Sequence, residues 1–233
     1  RGKGFRSMIG LLFTFYSIIF FMIPFIYRGY SPIILSIIVS IISTIVTLFL
    51  LNGWSRKTIV ATLATCVGVI ISGVIFYLIS NLLNISGFNL DEAESLILIA
   101  QNTGLKIRDI LFSGILISSL GAVMDVAMSI ASSIYEINEL NRDLDMKTIF
   151  NSGINIGRDM IGTMSNTLIL AFAGTSLSTM LALYSYNTQF NQLMSSDFIA
   201  IEFAQSISGS IGIILAVPIT SVISAYVYKK KIR

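Results

Sequence analysis

One stretch of the chain constrains its fold more than any other: the run from Ile110 to Tyr135, in which Asp125 is the only charged side chain. A helix rises about 1.5 Å per residue and the hydrocarbon core of a bilayer is roughly 30 Å thick, so this run is long enough to cross a membrane. Asp125 would then lie within the membrane, where an aspartate costs roughly 2.5–3.5 kcal/mol on insertion scales. The run therefore predicts a transmembrane helix whose carboxyl group has a specific role.

The composition of the whole chain predicts an integral membrane protein. Apolar residues make up 55% of the 233 residues and charged residues only 12%, and the mean hydropathy is +0.85. The net charge of +3 comes from short basic clusters between apolar runs, which is typical of membrane topology signals and predicts no nucleic-acid partner. There is no His and a single Cys66, so we predict no metal site and no cofactor. No phosphate-binding loop or nucleophile elbow is present, and we predict that the protein is not an enzyme.

The apolar runs predict an all-α membrane protein with six transmembrane helices in one domain that covers residues 1–233. The predicted spans are approximately 7–27, 31–51, 58–83, 108–135, 160–183 and 203–228. Two short amphipathic helices are predicted as well: an outer one between the third and fourth spans, starting near Asn89, and a cytoplasmic one between the fourth and fifth spans, near residues 146–155. No small-residue cleavage site follows the first apolar run, so no signal peptide is predicted, and the missing initial Met favours a truncated or processed piece of a longer protein.

The distribution of basic residues predicts the orientation of the helices. Six spans place both termini on one side, and of the 15 Lys and Arg residues all but Arg28, Lys106 and Arg108 fall on that side. By the positive-inside rule, both termini are predicted to be cytoplasmic. The predicted location is the bacterial cell membrane.

Stripes of small and polar residues on the last three spans predict where these helices meet. Spacings of three and four place Asp125 on one face of the fourth span and Asn166, Thr167 and Thr163 on one face of the fifth. Counted from the cytoplasmic boundary, Asp125 and Asn166 lie at similar depths. We predict that the fourth, fifth and sixth spans enclose Asp125, and that small and polar residues with Pro218 serve helix packing or gating: Gly121, Ser129, Ser132, Gly162, Gly209, Gly212 and Pro218.

No Lys, Arg or His lies at the depth of Asp125 in any predicted span, since Arg108 stands at the outer end of the fourth span. A carboxyl group at this depth without a positive partner is suited to load and release a proton, with Asn166, Thr167 and Thr163 as hydrogen-bonding neighbours. The predicted function is proton-coupled transport or assistance of export. The alternative is a non-transporting membrane scaffold or assembly factor in which Asp125 is structural.

Four segments carry a resemblance to a known family: GWSRKT at 53–58, GAVMDVAMSIASS at 121–133, IGRDMIGTMSNTL at 156–168 and GSIGIILAVPIT at 209–220. They resemble the YibE/F family of bacterial multi-pass membrane proteins, and the resemblance covers nearly the whole chain. The resemblance implies a membrane protein whose family members commonly have a further N-terminal span.

A more distant resemblance concerns the order of three features along the chain. They are Gly121-x-x-x-Asp125 in one helix, a cytoplasmic amphipathic connector, and Asn166-Thr167-Leu168 in the next helix. This order is similar to the SecD/SecF translocation factors and RND-type transporters, in which an acid in the fourth span of a six-helix half carries proton coupling. The resemblance implies that Asp125 is the proton site and Asn166 its neighbour. It also implies a partner besides the lipid bilayer, either a second copy in a homodimer or a related six-helix subunit in a heterodimer. It names no substrate.

One acid outside this group has two interpretations. Glu202 and Gln205 precede the uncharged part of the last span. They line an outer entrance in one interpretation and belong to an interfacial helix start in the other.

Overall fold

The computed structural model describes residues 2–82, 100–101, 104–185 and 190–229. Within these ranges the chain is almost entirely helical and contains no strand, which confirms the all-α class. The predicted outer amphipathic helix falls largely on residues 83–99 and 102–103, which lie outside the described residues. Gly104, which follows this segment, has a positive φ of 72°.

The first span is continuous but not uniform. It consists of α1 (Gly2–Tyr16), a π-helical segment (Ser17–Met22) and α2 (Ile23–Tyr27). Pro24 is the second residue after the π-helical segment. Because proline has no N–H to donate to the preceding turn, the regular hydrogen-bond pattern is interrupted there. The Arg28–Gly29 turn, with Gly29 at a φ of 90°, leads into the next helix.

The remaining helices follow in order. They are α3 (Pro32–Asn52), α4 (Arg56–Leu82), α5 (Ile107–Leu140), α6 (Met146–Thr175), α7 (Leu177–Ser185), α8 (Phe190–Met194) and α9 (Asp197–Lys229). Among the described residues, five stretches are long and apolar enough to cross a membrane: Gly4–Tyr27, Pro32–Asn52, Arg56–Leu82, Ile107–Leu140 and Phe198–Lys229. The structure thus supports a multi-pass membrane protein with five candidate spans rather than the six that we predicted.

The helix α6 accounts for the difference. The predicted cytoplasmic amphipathic helix and the first part of the predicted fifth span form one continuous helix, Met146–Thr175, instead of two elements. The helix then ends at Ser176, so the predicted span 160–183 is interrupted before α7 begins. The amphipathic pattern near 146–155 arises because Ile149 is buried in the protein core while Asn151 and Asn155 are exposed.

Three helices form the centre of the bundle: α4, α5 and α9 all contact one another. On one side α3 packs on α4 and α5, and α1 packs on α3. On the other side α6 packs mainly on α9 and also on α5. The bundle therefore has α1 at one edge and α6 at the other.

Glycines allow the central helices to approach closely. A methyl group added at Gly212 would lie 2.8 Å from Ser72 Cβ and 3.6 Å from the Gly68 carbonyl oxygen. One added at Gly68 would lie 2.8 Å from Val123. The Ser72 hydroxyl donates to the Ser208 carbonyl across the same contact, at 3.0 Å. Small residues at these positions bring α4 and α9 into near backbone contact, with α5 packed against them.

The contact between α6 and α9 depends on further glycines. A methyl group at Gly157 would overlap the Val217 side chain, and one at Gly153 would overlap Ser221. Nearer the other end of the helix, Leu168 of α6 fills the space left by Gly209 of α9. The two helices are therefore antiparallel and in contact from residue 153 to at least residue 168 of α6.

We expect Gly157→Ala to destabilise the protein by about 1–3 kcal/mol, because the added methyl group forces α6 away from Val217 and Ile130. Gly174→Ala on the same helix is the matched control, since a methyl group there meets no atom within 4 Å. It should be neutral or stabilising by up to about 1 kcal/mol. Unfolding by titration with a denaturing detergent measures both, and equal stabilities of the two variants would contradict the described packing.

A second prediction concerns Asp145, whose carboxylate accepts a hydrogen bond from the Thr148 N–H at 3.2 Å and caps the start of α6. Hydrogen bonding from Thr148, first from its side chain and then from its N–H, lowers the pKa of Asp145. The stabilisation is therefore present at pH values above the unfolded-state pKa and is lost as the pH falls through the folded-state pKa. Asp145→Ala should lower the melting temperature near neutral pH, with a smaller difference from wild type at pH 3. Asp145→Asn retains a cap that carries no charge. The difference in melting temperature between Asp145→Asn and Asp145→Ala should therefore not change with pH. If the difference in melting temperature between wild type and Asp145→Ala were the same at both pH values, the assignment of Asp145 as the cap of α6 would be refuted.

Candidate functional site

The outward face of α5 consists of small and polar residues. Between Phe112 and Ile134 its exposed positions are Gly114, Ser118, Gly121 and Asp125. Ser129 and Ser132 continue the same line toward the cytoplasmic end and are half-buried. The buried positions are mainly Leu, Ile, Val and Ala, and they pack on α4, α9, α3 and α6. The only exposed side of α5 in this stretch is therefore the one that carries Asp125.

This face differs from the exposed surfaces of the other spans. Elsewhere the exposed residues are large and apolar, such as Ile34 on α3, Val74 on α4 and Val222 on α9, as expected for helices in contact with lipid. On α5 between Phe112 and Ile134 no large apolar side chain is exposed. The α5 face is thus less suited to lipid than the exposed surfaces of α3, α4 and α9.

The second predicted stripe also lies on the surface of the chain. Gly162, Thr163, Asn166, Thr167 and Gly174 on α6 are all exposed. The hydroxyl of Thr163 donates to the Met160 carbonyl at 3.0 Å and that of Thr167 to the Thr163 carbonyl at 2.8 Å. Both hydroxyl protons are used within their own helix, which leaves the hydroxyl oxygens as acceptors.

Contacts between α5 and α6 fix the relative depth of the two stripes. Gly157 packs against Ile130 and Gly153 packs against Ile134, so the antiparallel register places Asp125 opposite residue 162. Asn166 lies four residues further along, about 6 Å away from that level. The similar depths expected from the sequence therefore agree with the packing of the two helices.

The predicted enclosure of Asp125 is wrong. Asp125 is exposed rather than buried, and the described part of the chain contains no hydrogen bond or ion pair between it and Asn166, Thr163 or Thr167. Val123, Val126 and Ala127 occupy the buried side of α5 instead. A helix has only one side facing the core, and here the larger apolar side chains fill it.

The helix α9, which contains the predicted sixth span, does not contribute to this face either. Gly209 packs against Leu168 and Phe172 of α6, and Gly212 packs against Ser72 of α4. Thr220 and Ser224 are buried. Pro218 lies inside α9, which continues through it to Lys229. The stripe on α9 serves contacts within the chain, away from Asp125.

Two of the packing glycines were not recognised from the sequence. Gly153 and Gly157 make the closest contacts of α6 with α9. They are four residues apart, and this spacing of small residues is itself a signal of helix contact in membranes. The predicted surface helix near residues 146–155 includes Gly153, whereas Gly157 falls between that helix and the predicted fifth span.

We use the name polar face for a set of exposed residues on two helices. The set consists of Gly114, Ser118, Gly121 and Asp125 of α5 and of Gly162, Thr163, Asn166 and Thr167 of α6. Its chemistry is that of one carboxyl group among hydrogen-bonding amide and hydroxyl groups. No cluster of three or more metal-ligating side chains exists among the described residues, and the donors of the polar face do not form one. A single carboxyl group of this kind can exchange a proton or accept hydrogen bonds.

Taken together, the fold and the polar face define an all-helical, multi-pass membrane protein with a carboxyl group at mid-helix on its outer surface. The sequence model of the YibE/F-like protein family matches residues 1–230. The chain belongs to the YibE/F-like family, as the sequence motifs indicated.

Searches of curated proteins and of solved structures gave no match. The more distant similarity to SecD/SecF and RND-type transporters therefore has no support from these comparisons.

Proposed function

We propose that this chain is a subunit of a proton-coupled transporter or export system, in which Asp125 exchanges the proton at a face that a second subunit completes. The observation that carries this proposal is the exposure of Asp125 on a helix side without large apolar residues. Facing lipid, the ionised side chain would cost several kcal/mol at this depth. A polar partner surface removes that cost.

The open glycines favour a protein partner over lipid. A methyl group added at Gly114, Gly121 or Gly162 would meet no atom within 4 Å. In membranes, small residues of this kind let a second helix approach the backbone closely, and Ser or Thr side chains then form hydrogen bonds across the contact. We propose that the partner is a second copy of the chain or a related six-helix subunit.

A sixth span is part of this proposal. The contacts Gly153–Ser221, Gly157–Val217 and Gly209–Phe172 support an antiparallel arrangement of α6 and α9 over residues 153–172 of α6. This length is about 28 Å, close to the thickness of the hydrocarbon core. The polar residues of α6 lower its hydropathy without shortening it. With six spans, both termini lie on the cytoplasmic side of the bacterial cell membrane.

The surroundings of Asp125 support a proton over a metal or organic cation. Its helix neighbours on the polar face are glycine and serine, which supply no further charge for a cation. The ion pair found among the described residues, Arg142–Glu139, is exposed and far along the helix. A lone carboxyl group can become neutral by taking up a proton when the face is closed and release it when water enters. We propose no enzymatic activity for such a subunit.

A scaffold is the second candidate function. The same stripe would serve assembly alone if Asp125 were permanently neutral and donated a hydrogen bond across the subunit contact. Small residues and one polar side chain are sufficient for association in membranes. The two functions differ in whether the proton of Asp125 exchanges.

We expect Ser118→Cys, in a Cys66→Ser background, to form a disulfide between two copies when oxidant is added to native membranes. Identical positions near the axis of a twofold contact come within disulfide distance. The product should have twice the mass of the 25.5 kDa chain, or a different larger mass if the partner is a related subunit with a nearby cysteine. Val74→Cys on the lipid-exposed side of α4 is the matched control and should remain uncross-linked. Equal cross-linking of both variants, or of neither, would contradict the proposed partner face.

We expect Asp125→Asn to reduce proton flux at least tenfold in reconstituted liposomes under an imposed pH gradient, because the amide cannot exchange the proton. Asp109→Asn, in the first turn of the same helix, is the matched control and should retain the flux. Flux is measured with an enclosed pH-sensitive dye, and reaction of Asp125 with a hydrophobic carbodiimide is followed by mass spectrometry. Full flux in Asp125→Asn would rule out the proton role and leave the scaffold function.

A further inference from the structure

A cavity of about 440 Å³ lies between α6, α7 and α9, on a different side of α6 from its contact with α5. Its wall is almost entirely apolar, with Ile169 and Ala173 from α6, Met180 from α7 and Phe203 and Ile207 from α9. Its volume falls within the range of about 300–1,000 Å³ that is typical of small-molecule sites. None of the residues that line the cavity belongs to the polar face, although α6 contributes residues to both.

One charged side chain lines this cavity. The Oε2 atom of Glu202 is inaccessible to solvent and has no hydrogen-bond partner. The Ser176 hydroxyl donates a hydrogen bond to the carboxyl group, which leaves this second oxygen unsatisfied. The Ser210 hydroxyl, also on the wall, is buried without a partner. A buried oxygen without a donor is unfavourable, and more so if it is charged.

A ligand that satisfies this site needs two properties. It needs an N–H donor with a positive charge for the Glu202 oxygen, because no Lys or Arg is among the lining residues. It also needs an apolar body to occupy the remaining wall. A protonated amine on a hydrocarbon chain or ring has both, whereas a quaternary ammonium lacks the N–H and a neutral alcohol lacks the charge.

We propose that this cavity binds a small lipophilic ammonium compound, with the ammonium group donating to Glu202 and the apolar body against Ile169, Ala173 and Phe203. Entry is from the side, through the lipid. Phe203 is 60% exposed and Ile207 is 47% exposed on the outer surface of α9, so the cavity opens where apolar side chains face the bilayer. Lipophilic amines concentrate in the same region of a membrane.

The test uses the full chain in phosphatidylcholine nanodiscs and radiolabelled dodecylammonium as the probe, at neutral pH, with empty nanodiscs to correct for partition into lipid. We expect saturable binding that Glu202→Gln weakens at least about tenfold, because the charge-assisted hydrogen bond is lost. The glutamine of Glu202→Gln can still accept the hydrogen bond from Ser176, so the end of α6 should keep its position in this variant. Asp125→Asn should leave the affinity unchanged.

Two further arms separate this site from nonspecific effects. Ala173→Phe keeps Glu202 but fills part of the apolar space, and it should also weaken binding. Unlabelled dodecanol, which has the same chain without charge, should compete at least tenfold less well than dodecylammonium. Equal binding to wild type and Glu202→Gln, equal competition by the alcohol, or binding no greater than that of empty nanodiscs would overturn the proposal. A melting curve of each variant shows whether it is folded.

Discussion

The close approach of α4 and α9 at Gly68 and Gly212 is the contact on which the bundle depends. In lipid there is no hydrophobic gain from bringing two apolar helices together, so association relies on contact area and hydrogen bonds. The near-contact of the two backbones and the Ser72–Ser208 hydrogen bond supply both. Val123 of α5 packs on the same site, which joins the third central helix to the pair.

The interior of the bundle accordingly contains many small polar residues. Thr44, Thr62, Thr65, Ser208 and Thr220 are buried, and each donates its hydroxyl proton to the carbonyl four residues earlier. Their polar groups are satisfied within one helix, so these side chains fit between helices without an interhelical partner. Large apolar residues are therefore available for the outer surface, where they face lipid.

This distribution explains which parts of the structure could be predicted from the sequence. Long apolar runs identified the all-α class and the run that became α5, because hydropathy and length report directly on contact with lipid. The boundaries of α6 could not be found in this way. Its polar positions lower the hydropathy, and its end at Ser176 falls in a sequence, Gly174-Thr175-Ser176, whose residues also occur within the helices of this chain.

Whether the side of α5 that carries Asp125 faces inward or outward could not be predicted either, for a related reason. Gly157 and Gly162 lie on the same helix and both look like packing residues, yet one is in tight contact and the other faces open space. Small and polar residues suit a contact within the chain and a contact between chains equally well. Only the fit of the apolar side chains, such as Ile130 against Gly157, determines which side of each helix turns inward.

The helix α6 connects the polar face with the Glu202 cavity. Thr163 and Asn166 lie on its exposed surface, while Ile169 and Ala173 line the cavity less than two turns further along. Its far end is tied to α9 by the Ser176–Glu202 hydrogen bond, and its near half is held by the contacts of Gly153 and Gly157. Because helices are stiff over this length, a displacement of α6 relative to α9 would alter the width of the cavity and the position of Asn166 together.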